Sequence, residues 1–188
     1  MCQLFHFDGN KNRTMQHKSR WLLHPQYQSK VQIILNQPLE KSCVILHDLD
    51  FKHSAILRFF YFIIGLERDS MNLKGLLNLN FCLLSREPTK LILGVKGKFW
   101  RLKKVLLPIN QRDFLKQESG YTQIEWTFNL ENHGSQTTQL SFLVSIASPD
   151  IKTHRKMGFY WFFIKPVSIF IRKEMLKAMR RRLHEAAE

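Results

Sequence analysis

Cysteine is scarce in this chain, and the cysteines that occur are far apart. They are Cys2, Cys43 and Cys82. The sequence has no CxxC pair or other metal-ligand spacing and so gives no sign of a zinc site, and an odd number of distant cysteines is not a complete disulfide framework. These absences point away from small disulfide-stabilised secreted domains and predict a reducing, cytoplasmic environment.

Long apolar runs are also missing. The two most apolar segments, residues 55–66 and 158–171, are interrupted by Arg58 and by Lys165 with Pro166. Both are shorter than the roughly 18 to 20 continuous apolar residues that cross a bilayer. The start of the chain lacks the apolar core of a secretory signal. The sequence therefore predicts no transmembrane helix and a polar N-terminal tail over residues 1–28.

Acidic residues are few compared with basic ones. The 188 residues include 29 lysines and arginines against 15 aspartates and glutamates, which gives a formal net charge of +14. Such a charge attracts phosphate, either on lipid headgroups or on nucleic acid. Because 44% of the residues are apolar, the chain can still close a sizeable core, and residues 29–188 are predicted to form a single domain.

The spacing of the apolar residues predicts a mixed α and β domain. Alternation over residues 29–36 predicts a strand, which is followed by a helix beginning at Pro38 and by an almost wholly apolar helix over residues 53–64. Alternation of period two then predicts five more strands, over residues 77–83, 91–95, 100–107, 124–131 and 138–146.

The pattern at the C-terminus is helical. It begins after Pro149, and Pro166 is expected to separate a helix over residues 152–164 from one over residues 167–186. The last helix has an apolar stripe of Ile171, Met175, Ala178, Met179, Leu183 and Ala186. Packing of this stripe on the sheet is the simplest interpretation, and membrane contact is the alternative.

The same region carries a more specific pattern. It contains Tyr160-Trp161, Ile164, Pro166, Ser168, Ile171-Arg172 and Leu176, and it runs into Arg180-Arg181-Arg182. This pattern resembles uncharacterised bacterial START-like proteins of the SRPBCC superfamily (polyketide cyclase/dehydrase type), to which residues 85–100 are also similar. The resemblance implies an α+β helix-grip fold, a curved antiparallel sheet wrapped around a long C-terminal helix over an apolar cavity. It also implies a seventh strand, which is expected within residues 106–114.

Aromatic residues supply the large apolar area that ligand pockets use. Each of them alone is explained equally well by core packing, but the resemblance favours a cavity for the set. The predicted ligand-binding residues are Phe81, Trp100, Trp126, Phe128, Tyr160, Trp161, Met175 and Met179. The ligand expected from the resemblance is a hydrophobic small molecule such as a lipid, an isoprenoid or a polyketide-like compound.

No catalytic constellation is evident in the sequence. Alternation places Glu125 opposite Trp126 and therefore towards solvent, and no nucleophile signature surrounds a serine or cysteine. A short cluster suits an exposed turn as well as a metal site, namely His47, Asp48, Asp50 and His53. We predict no catalytic residue, metal or cofactor, although the resemblance includes cyclases and leaves a cyclase- or dehydratase-like enzyme as an alternative.

Basic residues concentrate near the C-terminus. Residues 152–182 contain ten of them against a single acidic residue, Glu174. A solvated helix face explains this run, and docking on an anionic membrane is the alternative. Binding of nucleic acid is the less favoured third interpretation, because a nucleic-acid-binding surface usually has aromatic residues interleaved with the basic ones. The residues predicted to contact an anionic surface are Arg172, Lys173, Lys177, Arg180, Arg181 and Arg182.

Overall fold

An antiparallel sheet of six strands forms the centre of the fold. The computed structural model describes residues 21–22, 24–47, 49–51, 54, 56, 58, 71–101 and 105–185. The strands are β1 (Tyr27–Leu35), β2 (Cys82–Glu87), β3 (Lys90–Lys98), β4 (Val105–Leu106), β5 (Thr122–Gly134) and β6 (Thr137–Ala147). Their order is β1-β6-β5-β3-β2, and β4 pairs with the end of β3. The helices are α1 (Leu39–Ser42), α2 (Val44–His47), α3 (Leu73–Asn78), α4 (Gln111–Leu115) and α5 (Ile151–Glu185).

One face of the sheet packs against α5. Trp126 and Phe128 of β5 point to this face, and Val144 and Phe142 of β6 lie directly beside them. From α5 the core receives Met157, Trp161, Met175, Leu176, Met179 and Leu183. The helix lies mainly over β1 and reaches β6 and β5. A curved antiparallel sheet wrapped around a long C-terminal helix is the helix-grip arrangement, so the predicted α+β fold class is confirmed.

The C-terminal region is one continuous helix and not the predicted pair. α5 contains Pro166 in its interior. A break was the expected result because proline lacks the N–H that bonds the preceding turn. Pro166 lies on the exposed face of α5, where the missing bond does not disturb packing. Buried side chains before and after it, such as Trp161 and Met175, hold both halves of the helix to the same core.

The strand predicted over residues 77–83 overlaps the end of a helix, because α3 continues to Asn78. The Asn72 side chain accepts a hydrogen bond from the backbone N–H of Gly75 (2.7 Å), which caps the first turn of α3. Asn80 has a left-handed φ of 64° just after this helix. The strand β2 therefore starts only at Cys82.

Other predicted elements also differ from the structure. The helix after Pro38 consists of α1 and α2 on either side of Cys43. Of the strand predicted over residues 100–107, the described residues contain the two of β4, and residues 102–104 lie outside the described part of the chain. The seventh strand predicted within residues 106–114 is wrong, because α4 begins in this region. Most of the helix predicted over residues 53–64 and most of the N-terminal tail lie outside the described residues.

The second face of the sheet carries a smaller core of its own. Phe114 of α4 is fully buried there with Leu84 and Ile92. On the same face Glu125 is 2% exposed and accepts a hydrogen bond from the Thr127 hydroxyl (2.9 Å). The prediction of a solvent-facing Glu125 is therefore wrong. Alternation assigns a residue to one face of a sheet, but it does not show whether that face is covered.

Lys96 of β3 is buried on this second face and connects the sheet to α4. Its ammonium group donates hydrogen bonds to the backbone carbonyls of Asp113 and Lys116, the latter at 2.8 Å, and lies 3.5 Å from a carboxylate oxygen of Glu118. A buried charge is tolerated only where such partners replace water. Lys96 thus holds the end of α4 on the sheet.

Asp150 fixes the start of α5. Its carboxylate accepts hydrogen bonds from the backbone N–H of Gly120 (2.9 Å) and from the hydroxyl and backbone N–H of Thr153 (2.7 and 2.8 Å). The Ser119 hydroxyl donates a further bond at 3.1 Å. The bond from Gly120, followed by those from Thr153, holds the pKa of Asp150 well below its usual range, because each donor stabilises the ionised form.

Exchanging Asp150 for Asn is expected to remove a pH-dependent part of the stability. A carboxyl group with a lowered folded-state pKa stabilises the fold fully above its unfolded pKa of about 3.9, and this contribution is lost as the pH falls. In urea unfolding, the wild type should exceed Asp150→Asn in stability at neutral pH, and the gap should shrink on acidification below about pH 4. Glu40→Gln, at an exposed position, is the control. A gap that does not change with pH would contradict this assignment.

Candidate functional site

A row of aromatic rings crosses the face of the sheet that packs on α5. Phe81 contacts Trp126 with ring centroids 4.7 Å apart, and Trp126 meets the edge of Phe142 at 5.3 Å. Phe142 in turn stacks on Phe128 at 4.1 Å. Three of the predicted ligand-binding residues, Phe81, Trp126 and Phe128, therefore lie in one continuous line of ring contacts together with Phe142. We call Phe81, Trp126, Phe142 and Phe128 the aromatic row.

Trp126 is half-buried although it sits in the middle of the central strand. Its neighbours on β3 and β6, Leu93 and Val144, are 0% and 3% exposed. Part of the Trp126 ring nevertheless remains accessible to solvent. We call the space beside that part of the ring the Trp126 cleft. It lies beyond the part of the sheet on which α5 packs most closely, namely β1.

Other half-buried apolar side chains pack against the same core. Among the predicted ligand-binding residues these are Phe81, Trp100 and Tyr160. Burial raises the pKa of the Tyr160 hydroxyl, because the charged form loses contact with water. These half-buried residues are the ones through which a bound molecule can extend the core.

Four predicted ligand-binding residues belong instead to the packed core. Phe128, Met175, Met179 and Trp161 are 0%, 4%, 1% and 7% exposed. Side chains so completely buried already have protein atoms on every side. Their observed role is to join α5 to the sheet. A ligand reaches Phe128, Met175 and Met179 only if the two separate, whereas the edge of Trp161 also lines a groove.

A groove of about 510 Å³ also opens between β1 and α5. Beside it, the Tyr27 and His154 rings stack with centroids 5.2 Å apart, and the Tyr27 hydroxyl lies 3.3 Å from His154 Nε2. A Cβ atom at Gly158 would lie 2.5 Å from the Tyr27 oxygen, so the close approach of helix and strand requires glycine there. The lining residues are Gln26, Tyr27, Gln28, Gly158, Trp161, Phe162 and Lys165.

Arg172 is not on the surface, which corrects its predicted role in contacting an anionic surface. It is 2% exposed, and its guanidinium donates hydrogen bonds to the Ser29 carbonyl, to the Ser29 hydroxyl (2.9 Å) and to the Ser168 carbonyl (3.1 Å). The guanidinium carbon lies 5.7 Å from the centre of the Phe142 ring. Burial lowers the pKa of Arg172 to about 10, so the group stays charged at neutral pH.

The remaining basic residues of the predicted surface divide into two groups. Arg182 forms an ion pair with Asp50 at 2.8 Å, and Lys177 forms one with Glu174 at 2.7 Å. Lys173, Arg180 and Arg181 are exposed. The sequence grouped these cations by helical position, but the partners of Arg172 and Arg182 come from distant parts of the chain.

The described residues contain no group of three potential metal ligands. The side chains of His47, Asp48 and His53, which the metal interpretation used, lie outside the described part of the chain. Burial raises the pKa of the Cys82 thiol to about 11, so this cysteine is protonated and unreactive at neutral pH. The buried carboxylate of Glu125 lies on the sheet face opposite Trp126 and so does not serve the Trp126 cleft.

Comparison with known proteins yields similarity in structure alone. No protein-family model matches the chain, and no curated protein matches it. A crystal structure of a protein from Thermus thermophilus shares 10% identity over 86% of this chain and 100% of its own, with a TM-score of 0.41. A conserved protein from Geobacillus kaustophilus shares 10% identity over 85% and 97% of the two chains, with a TM-score of 0.39.

A third similar structure is the Zhui aromatase/cyclase from a Streptomyces species. It shares 9% identity over 82% of this chain and 94% of its own, with a TM-score of 0.29. Identities and TM-scores this low do not carry an activity from one protein to another.

Proposed function

We propose that the protein binds a hydrophobic small molecule, such as a lipid, an isoprenoid or a polyketide-like compound, in the Trp126 cleft. The observation that carries this proposal is a tryptophan in the centre of the sheet that keeps part of its ring accessible. Trp126 offers a flat apolar surface, and the half-buried Phe81 extends that surface on one side. A ligand that covers these two rings removes apolar area from water, which is the main driving force for binding in such sites.

Extraction of the purified protein under denaturing conditions, followed by mass spectrometry, tests the proposal directly. A native mass spectrum of the same preparation gives the stoichiometry. An apolar compound recovered at about one molecule per chain supports the proposal. A chain that carries no compound and does not shift in mass when long-chain lipids are added contradicts it.

Exchanging Trp126 for Ala is expected to weaken ligand binding by tenfold or more, that is by over about 1.4 kcal/mol, because a tryptophan side chain contributes a large part of the buried apolar area. Binding is measured with the recovered compound or with an anilinonaphthalene sulfonate dye. Trp21→Ala, which alters a tryptophan packed on the smaller core of the opposite sheet face, is the control. Equal affinities in wild type and a folded Trp126→Ala variant would remove Trp126 from the site.

A further inference from the structure

Three phenylalanine side chains protrude from α5 into solvent. Phe159, Phe162 and Phe163 are 72%, 76% and 60% exposed. Their rings touch edge to face, with centroids 5.0 Å apart for Phe159 and Phe163 and 5.2 Å apart for Phe162 and Phe163. We call these three residues the phenylalanine cluster. They form one contiguous apolar surface, which marks an interaction site more often than scattered single residues do.

The phenylalanine cluster lies on the side of α5 that faces away from the core. In the same part of the helix Thr153, Met157 and Trp161 are buried against the sheet. A helix of a soluble domain normally has its polar residues on the outer side. α5 is therefore apolar on both sides here, and the outer apolar side stays exposed rather than buried against the described residues.

Along α5, the lysines and arginines that flank the phenylalanine cluster are not balanced by acidic residues. Lys152, Arg155 and Lys156 precede it and Lys165 follows it, all of them exposed. No aspartate or glutamate occurs anywhere between Ile151 and Lys173. A chain with a net charge of +14 repels a second copy of itself, whereas exposed aromatic rings among basic residues match an anionic membrane surface in both polarity and charge.

Pro166 indicates how deeply such a helix enters a membrane. It follows the phenylalanine cluster and has no N–H to bond the carbonyl of Phe162. A carbonyl that has lost its helical partner is satisfied more readily at the water–lipid boundary than in the hydrocarbon interior. Among the described residues, no helix has the length and apolar character needed to span a membrane. Exposed rings flanked by cations, with a proline at their end, suit a helix that lies in the plane of the interface.

We propose that the phenylalanine cluster, with Lys152, Arg155, Lys156 and Lys165, docks the protein on the surface of an anionic phospholipid membrane. The rings insert at the level of the acyl-chain boundary, and the basic side chains contact lipid phosphates. This places the membrane contact on the first half of α5 and not on Arg180 and Arg181 near its end. Phe162 and Lys165 also line the groove between β1 and α5, so the docked surface reaches the rim of that groove.

Co-sedimentation with phosphatidylcholine vesicles, with and without phosphatidylserine, tests this docking. The wild type is expected to bind the vesicles that contain phosphatidylserine, and to bind less as salt is added. The triple variant Phe159→Ser, Phe162→Ser, Phe163→Ser should partition at least tenfold less, because it lacks the inserting rings. The triple variant Lys152→Gln, Arg155→Gln, Lys156→Gln should lose the preference for phosphatidylserine.

Two matched controls separate the docking site from general surface properties. Val44→Ser with Leu115→Ser removes other exposed apolar side chains, and Arg180→Gln with Arg181→Gln removes exposed charges elsewhere on α5. Both should bind vesicles like the wild type. Wild-type binding by the phenylalanine variant would overturn the proposal. So would a dimer of the wild type that the same variant dissociates, which would assign the cluster to a second copy.

Discussion

Exchanging Phe142 for Ala is expected to lower the free energy of unfolding by about 3 to 5 kcal/mol, the usual cost of deleting a fully buried phenylalanine. Phe142 is completely buried and joins three elements of the core. It stacks on Phe128, meets the edge of Trp126 and carries the guanidinium of Arg172 over its ring. The variant removes all of these contacts and leaves a cavity between the sheet and α5.

Urea unfolding measures this loss as a lower midpoint with an unchanged slope. Because small domains are stable by only about 5 to 15 kcal/mol, the shift should be large. Phe162→Ala is the matched control, since it deletes the same side chain at a position that is 76% exposed, and its effect should stay within about 0.5 kcal/mol. Two small and equal effects would show that Phe142 is not part of a tightly packed core.

Exchanging Lys96 for Ala is expected to destabilise the fold by about 2 to 4 kcal/mol, because hydrogen bonds to a charged donor are each worth about 1.5 to 3 kcal/mol and a buried volume is lost as well. Without the ammonium group, the carbonyls of Asp113 and Lys116 lose their bonds to β3. We expect α4 to loosen from the sheet, which exposes Phe114.

The same unfolding assay tests Lys96 with two comparison variants. Lys116→Ala removes a lysine whose side chain is 67% exposed and pairs with Asp113 at the surface, a kind of pair worth about 0 to 1 kcal/mol. Lys96→Met keeps the volume without the bonds, so its loss should fall between those of the two alanine variants. An unchanged midpoint for Lys96→Ala would mean that the hydrogen bonds of Lys96 do not contribute to holding α4, which also contacts the sheet through Phe114 and Gln111.

The strands of the central hairpin could be predicted well from sequence. β5 and β6 alternate strictly, with Phe128 and Phe142 on one face and Thr127 and Leu143 on the other, and this pattern needs no knowledge of distant residues. α3 could not be predicted in this way. The alternating leucines of this segment predict a strand, but the residues form a helix that is capped by the hydrogen bond from the Gly75 backbone N–H to the Asn72 side chain.

Buried polar residues were the least predictable part of the fold. Lys96 depends on carbonyls of α4, and Arg172 depends on Ser29 at the other end of the chain. Charged side chains are usually expected at the surface. They can be buried only when segments that are distant in the sequence come together in the fold and supply hydrogen-bond partners. Glu125 was misjudged for the same reason, since nothing in β5 itself reveals the cover on its face.

For the candidate site, the sequence identified the aromatic residues but not their different surroundings. Trp126 and Phe128 are two residues apart on the same face of β5, yet only Trp126 keeps exposed area. The exposure of β5 residues depends on helices from distant parts of the chain, since both α1 and α5 contact this strand. A helical projection extended to residues 151–166 would have placed Phe159 and Phe163 opposite Met157 and so revealed the phenylalanine cluster.

The contact between Arg172 and Ser29 also bears on the edge of the sheet. In the described part of the chain β1 has a partner strand on one side only, and an open strand edge can template the addition of another chain. The Arg172 guanidinium binds both the carbonyl and the hydroxyl of Ser29, so separating β1 from α5 would leave a buried cation with fewer partners. The helix that completes the core thereby also anchors the edge strand of the sheet.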